Sequence, residues 1–419
     1  MELTNELLEF IKKSPSAYHA ADTVAKILKE EGYAELSETD KFRLEDGGKY
    51  YIKKNGSSIV AFRYRENAGA FMICASHSDS PSFKVKGDLK SGLYTKLDVE
   101  KYGGMIYYSW FDKPLSIAGR VYVKSDTGVT SCLVNIDENI AVIPSVAIPM
   151  NRSVNDGYKF NPAQDLLPLA SIGSGTIKEL LARELSCKAD DIISHDLFLY
   201  VRDEGKLIGK DYVLAPRLDD LACVYSSLKA FVSSENDKTI PVLAVFDNEE
   251  VGSETKQGAA SSFFSELLRE IAGAKYEKML PNSFMVSADN AHAVHPNHPE
   301  LTDKQNFATL GGGVVIKYNA NQRYTTDAYS DAIFRSIAEK AGARVQSYSN
   351  RADMLGGSTL GSIASTRLPV PTVDVGLPQL AMHSAIETMG VPDLSDMVKI
   401  LGKFYSTRLS KNGDSIEIV

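Results

Sequence analysis

The chain has 419 residues, 43% hydrophobic and 24% charged, which is long enough for two domains with sizeable cores. Its formal net charge is −8 without any Lys/Arg-rich tract, which argues against a nucleic-acid partner. No stretch approaches the about 18–20 uninterrupted apolar residues of a membrane span, and the opening MELTNELLEF lacks a basic segment followed by an apolar one, so no membrane partner and a cytoplasmic location are expected.

In chain order, Leu3, Leu7, Leu8 and Ile11 share a helical face, and a second amphipathic helix is expected from Ala20 to Glu31. SIVAFRY and AFMICAS are Val/Ile/Phe-rich runs of central-sheet type. From residue 86 to 212 the pattern turns to Gly, Pro and short alternating runs such as GRVYVKSD and SCLVNID, with one helix near Gly175–Leu185. This predicts an inserted, mostly β domain. Helix and strand then alternate: a helix at Asp220–Ser234, strand IPVLAVF, a helix at Ser261–Ala272, strands SFMVSA and GGVVIKY, a helix at Asp327–Ala341 and strand PTVDVG. The expected architecture is α/β, a central mixed sheet flanked by helices, built from residues 1–85 and 213–419 around the 86–212 insertion. The last residues, KNGDSIEIV, read as a loose tail or a short edge strand. Cys74, Cys132, Cys187 and Cys223 have no paired spacing, so neither a disulfide framework nor a cysteine zinc site is expected.

In open α/β sheets, ligand sites gather beyond the carboxyl ends of strands. Here AFMICASHSDS ends in His77 and Asp79, IPVLAVFDNEE in Glu249 and Glu250, and SFMVSADNAH in Asp289, while His383 follows PTVDVG and Asp219 and Asp220 open a helix. Histidine and carboxylate donors suit zinc, manganese or cobalt. Singly, each has a plain reading: Asp219 or Asp220 as a helix cap, Asp289 in an Asx-turn, Glu387 with Ser384 as a capping box. The adjacent Glu249–Glu250 pair fits a structural role least, because two neighbouring carboxylates repel and lose solvation together.

Taken together, HSDSP, RLDDL, DNEEVGS, SADNAHAVHPN, KYNANQRYTTD, GGSTLGSI and DVGLPQLAMHS resemble, in order, the motifs of the dinuclear-zinc aminopeptidases of the aspartyl aminopeptidase family. The similarity runs from SPSAYHA to the His383 region. It implies a zinc-exopeptidase-like fold and two zinc ions per chain, with manganese or cobalt as substitutes. His77 and Asp289 would hold one ion, Glu250 and His383 the other, and Asp219 would bridge them. Asp79 would orient His77, and Glu249 would act as general base. The resemblance further implies removal of an N-terminal Asp or Glu from peptides with a free N-terminus, with Lys317 and Tyr324 in the substrate pocket and His292 in its wall, and a homo-oligomer, most simply a dodecamer. One departure stands out: Pro149 occupies a place where relatives carry a histidine that reaches a neighbouring subunit's site. Two alternatives follow from it, a peptidase of the same clan with neutral or broad specificity and a catalytically silent, metal-stabilised scaffold.

Overall fold

The computed structural model describes all residues except 92, 173, 174 and 414. A nine-stranded mixed sheet forms its centre, in the order 34–35, 49–54, 58–63, 240–246, 71–77, 284–288, 372–376, 314–318, 345–349. The four strands Ile240–Phe246, Phe71–His77, Phe284–Ala288 and Thr372–Gly376 are mutually parallel, so their carboxyl ends meet along one edge. They are buried on both faces, which explains their unbroken apolar runs. Alternate residues serve opposite cores. Met72, Cys74, Leu243 and Val245 pack with helices Glu2–Lys12, Ala17–Glu30, Leu218–Ser233, Ala328–Lys340 and Val391–Tyr405, whereas Phe71, Ile73, Val242 and Ala244 pack with Phe263–Ala272 and Leu360–Arg367.

A second sheet is built from seven strands between Ser82 and Val201. Strand Ile192–Val201 pairs with both Ser82–Ser91 and Leu115–Ser125, which closes the sheet into a barrel. Its interior holds Phe83, Leu97, Leu115, Ile117 and Leu197, capped by helix Ile177–Glu184. Strands Lys206–Ile208 and Tyr212–Ala215 do not join the barrel. They belong to a small five-stranded sheet with Glu387–Gly390, Pro378–Leu380 and Ala291–His292. That sheet ties the approach to Asp219 to the turn carrying His383. The tail forms a hairpin of Leu409–Asn412 with Ser415–Ile418, residue 414 lying outside the described residues.

Candidate metal centre

Three parallel strands deliver the first donors. His77 ends its strand opposite Phe246, and Asp289 follows Phe284–Ala288 one strand away. His77 is only 1% exposed. Its Nδ1 lies 3.1 Å from the Asp79 carbonyl oxygen and 3.4 Å from Asp79 Oδ1. A carbonyl can only accept, so Nδ1 carries the proton and Nε2 is left free to ligate. The nearer contact is thus Asp79's backbone, not the carboxylate expected from the sequence. That carboxylate is occupied elsewhere: Oδ1 accepts the Glu249 amide and Oδ2 the Glu250 amide, each at 3.1 Å.

Asn248 lets this arrangement form. It sits in the left-handed region at φ 65°, where asparagine is tolerated, and turns the chain sharply out of the strand into a short 3₁₀ turn, Glu249–Val251. Asp219 and Asp220 lie where a helix would begin, but both have non-helical backbones and neither caps it. The Ser384–Glu387 capping box is absent as well. Glu387 begins a strand, and its buried carboxylate accepts the Asp219 amide at 2.9 Å and the His383 amide at 2.7 Å. A local spacing fits a cap equally well; the true partner Asp219 is 168 residues away.

The side chains converge. Asp219 Oδ1 is 3.6 Å from His77 Nε2, and its Oδ2 is 3.4 Å from His383 Nε2, which in turn is 3.4 Å from Glu250 Oε1. Three overlapping groups have donor atoms within 4.8 Å of one another: His77, Asp219, Asp220 and Asp289; His77, Glu249 and Glu250; Asp219, Glu250 and His383. Asp220, placed by the sequence beside Asp219 at the helix entrance but given no ligand role by the resemblance, joins the set and also accepts the His77 amide at 3.2 Å.

The electrostatics are those of a cation site. Burial, reinforced by Asp289, Asp79 and Asp219 and opposed by His77, pushes Glu249 up to about 8. Burial likewise raises Glu250 and Asp220 well above the usual carboxylate range. Despite its burial, Asp219 is held low by the His383 and His77 imidazoles beside it. Those carboxylates raise His383 to about 10 against the effect of its own burial. Asp219 Oδ1, Asp220 Oδ1 and Glu250 Oε1 are buried with no hydrogen-bond partner among the described residues. Unpaired buried carboxylate oxygens are costly, and nitrogen and oxygen donors in this grouping fit zinc. Divalent cations would ionise the carboxylates, neutralise the histidines and release protons on binding. Glu249 and His383 are partly exposed, whereas the Glu250 side chain is buried, so the cluster opens to solvent beside Glu249 and His383.

The other expected residues differ in setting. Lys317 is 2% exposed, and its Nζ donates to the carbonyls of Asp289 at 2.7 Å and Asn290 at 3.2 Å, 3.6 Å from Asp289 Oδ1. It braces Asp289 and does not stand as an open cation. Tyr324 is buried with its ring 5.3 Å from that ammonium. His292 is exposed and stacks edgewise on Tyr348. Arg217, beside Asp219 in sequence, donates from Nη2 to the Ile11 carbonyl at 3.1 Å. Pro149 lies in an exposed stretch with Ile148 and Met150.

An α/β core with histidine and carboxylate donors gathered at its strand ends fits a metal-dependent enzyme. The family model described as aminopeptidase I zinc metalloprotease (M18) matches residues 10–405. A probable M18 family aminopeptidase 2 of Clostridium novyi is 41% identical over 97% of this chain and 99% of its own length. One from Pseudomonas paraeruginosa is 37% identical over 97% and 98%. Among solved structures, the cryo-EM structure of the Ape4 and Nbr1 complex superposes with a TM-score of 0.92 at 33% identity, covering 96% of this chain and 84% of the other. The S. cerevisiae mApe1 dodecamer does so at 0.84 and 26% identity, covering 96% and 95%. The chain belongs to the M18 family and is a zinc-dependent aminopeptidase.

Proposed function

We propose that this aminopeptidase works with two divalent cations, His77 and Asp289 holding one, Glu250 and His383 the other, with Asp219 bridging. The observation that carries the reading is Asp219 itself, whose two carboxylate oxygens face different histidines at 3.6 and 3.4 Å. Bound zinc supplies Lewis acidity to the scissile carbonyl and lowers the pKa of water. Glu249, at the open side of the cluster, takes the proton of the attacking water and passes it to the leaving amine. Asp79 keeps His77 and the Glu249–Glu250 turn in register, and Glu387 does the same for Asp219 and His383. Two cations beside a free α-amino group favour exopeptidase cleavage from the N-terminus.

The proposed substrates are peptides beginning with Asp or Glu, with Lys317 and Tyr324 supplying positive charge and a hydroxyl near Asp289, and His292 in the wall. A neutral or broad preference is the second reading, favoured by the engagement of Lys317 with backbone carbonyls. Residues 86–212 are proposed to join copies into a dodecamer like that of the yeast relative. Four unpaired cysteines accord with a reducing, cytoplasmic setting. A panel of aminoacyl substrates assayed with zinc, manganese and cobalt tests the reading. Asp and Glu should lead; a lead for Leu or Ala would retire the acidic preference, and inactivity on every substrate would favour a silent scaffold.

A further inference from the structure

The segment that leaves barrel strand Tyr94–Tyr102 runs along the metal centre. Tyr102 donates its hydroxyl to Asp79 Oδ2 at 2.6 Å and accepts from Asn248 Nδ2 at 2.9 Å. Asn248 Oδ1 is filled by Thr255 and Gln257, at 2.9 and 2.8 Å, so its amide orientation is fixed. Gly103, at φ +74°, passes so close that an added Cβ would lie 3.1 Å from Glu250 Cβ, and one on Gly104 would lie 3.9 Å from His383 Nδ1. Ile106 then donates to the His383 carbonyl at 3.0 Å, and Ser109 Oγ accepts the Ala385 amide at 2.9 Å. The segment leaving the barrel thus runs against both Glu250 and the turn that carries His383.

We propose that Tyr102 is a positioning residue through which the barrel sets the geometry of Glu249 and Glu250. Its hydroxyl binds the two groups that shape their turn: Asp79, which holds both amides, and Asn248, the residue on which the strand turns. Without that hydroxyl, Asp79 loses a short charge-assisted bond and Asn248 loses its acceptor, so the turn gains freedom where the cation needs a fixed carboxylate. The ring is held separately, edge to face with Phe198 at 5.4 Å. Tyr102→Phe therefore removes the link while keeping the packing.

The inference rests on the two-cation reading, and its test has a readout apart from turnover. Cobalt titration followed by absorbance, thermal melting, light scattering, and kcat and KM on an N-terminal aminoacyl substrate are measured on wild type, Tyr102→Phe, Gly103→Ala and Phe198→Leu. Tyr102→Phe should lower kcat and weaken the looser cobalt site, each by about tenfold or more, with KM, melting temperature and assembly nearly unchanged. Gly103→Ala, which presses on Glu250, should weaken the same cobalt site. Phe198→Leu, which keeps the hydroxyl, should leave cobalt affinity intact. Wild-type cobalt affinity and kcat in Tyr102→Phe would overturn the inference, as would equal losses of affinity in Phe198→Leu. If wild type cleaved no substrate, the functional reading would fall, while cobalt affinity would still decide the role of Tyr102.

Discussion

Glu249 and Glu250 have their amides fixed on the two oxygens of one carboxylate, so substitutions at either probe the side chain and not the backbone. Glu249→Gln keeps shape and removes the base; kcat should fall at least ~10²-fold while metal content stays near wild type. Glu250→Ala should instead lose metal, read by elemental analysis. Full activity in Glu249→Gln would mean another group takes the proton. Lys317→Ala discriminates between pocket and brace. A specificity role predicts a KM rise confined to Asp- and Glu-terminated peptides, whereas a brace on Asp289 predicts metal loss and equal damage for Leu-terminated ones. His77, Glu250, Asp289 and His383 were legible because each follows a strand that reads clearly as apolar. Glu387 and Tyr102 were not, since the partner that ties each to the centre, Asp219 for Glu387 and Asp79 for Tyr102, lies 168 and 23 residues away, where no local pattern records it.

At the scale of elements, period-2 and period-3.6 patterns located most of the core strands and helices. Helix Ala328–Lys340 starts where Asp327 caps it, accepting the Ser330 amide at 2.8 Å. Asp327→Ala should cost about 1 kcal/mol in chemical unfolding. Helix Val391–Tyr405 falls in a stretch to which the sequence assigned no element, although Leu394, Met397, Ile400, Leu401 and Phe404 repeat at helical spacing; Pro392, tolerated in its first turn, obscured the start. Helix Ala17–Glu30 carries His19, whose Nδ1 is 2.8 Å from Ser16 Oγ and whose pKa burial lowers to about 4. Between that value and 6.5 the unfolded chain binds a proton that the folded chain does not. Stability is therefore complete above pH 6.5 and lost as pH falls toward 4, by on the order of 2 kcal/mol or less given the partial exposure of the ring. Melting curves over this window should be flatter for His19→Gln; an unchanged slope would remove His19 from the acid response.

For the whole molecule, the sequence conveyed a change of pattern near residue 86 but not barrel closure, which depends on pairing Ile192–Val201 with a strand some eighty residues earlier. Nor did it separate Lys206–Ile208, which joins the sheet beside His383. Exposed Leu93, Tyr94, Val146, Ile148 and Met150 on the barrel side are candidates for burial between copies. Light scattering should find a large homo-oligomer, and deletion of roughly residues 90–210 should reduce it to smaller species. A stable wild-type monomer at micromolar concentration would end that proposal. The central claim is that Asp219 joins two cation sites, and metal stoichiometry tests it most directly. Elemental analysis of zinc-reconstituted protein should give about two ions per chain, with Asp219→Ala losing affinity for both. One tightly held ion in wild type, with no second site under titration, would contradict the account.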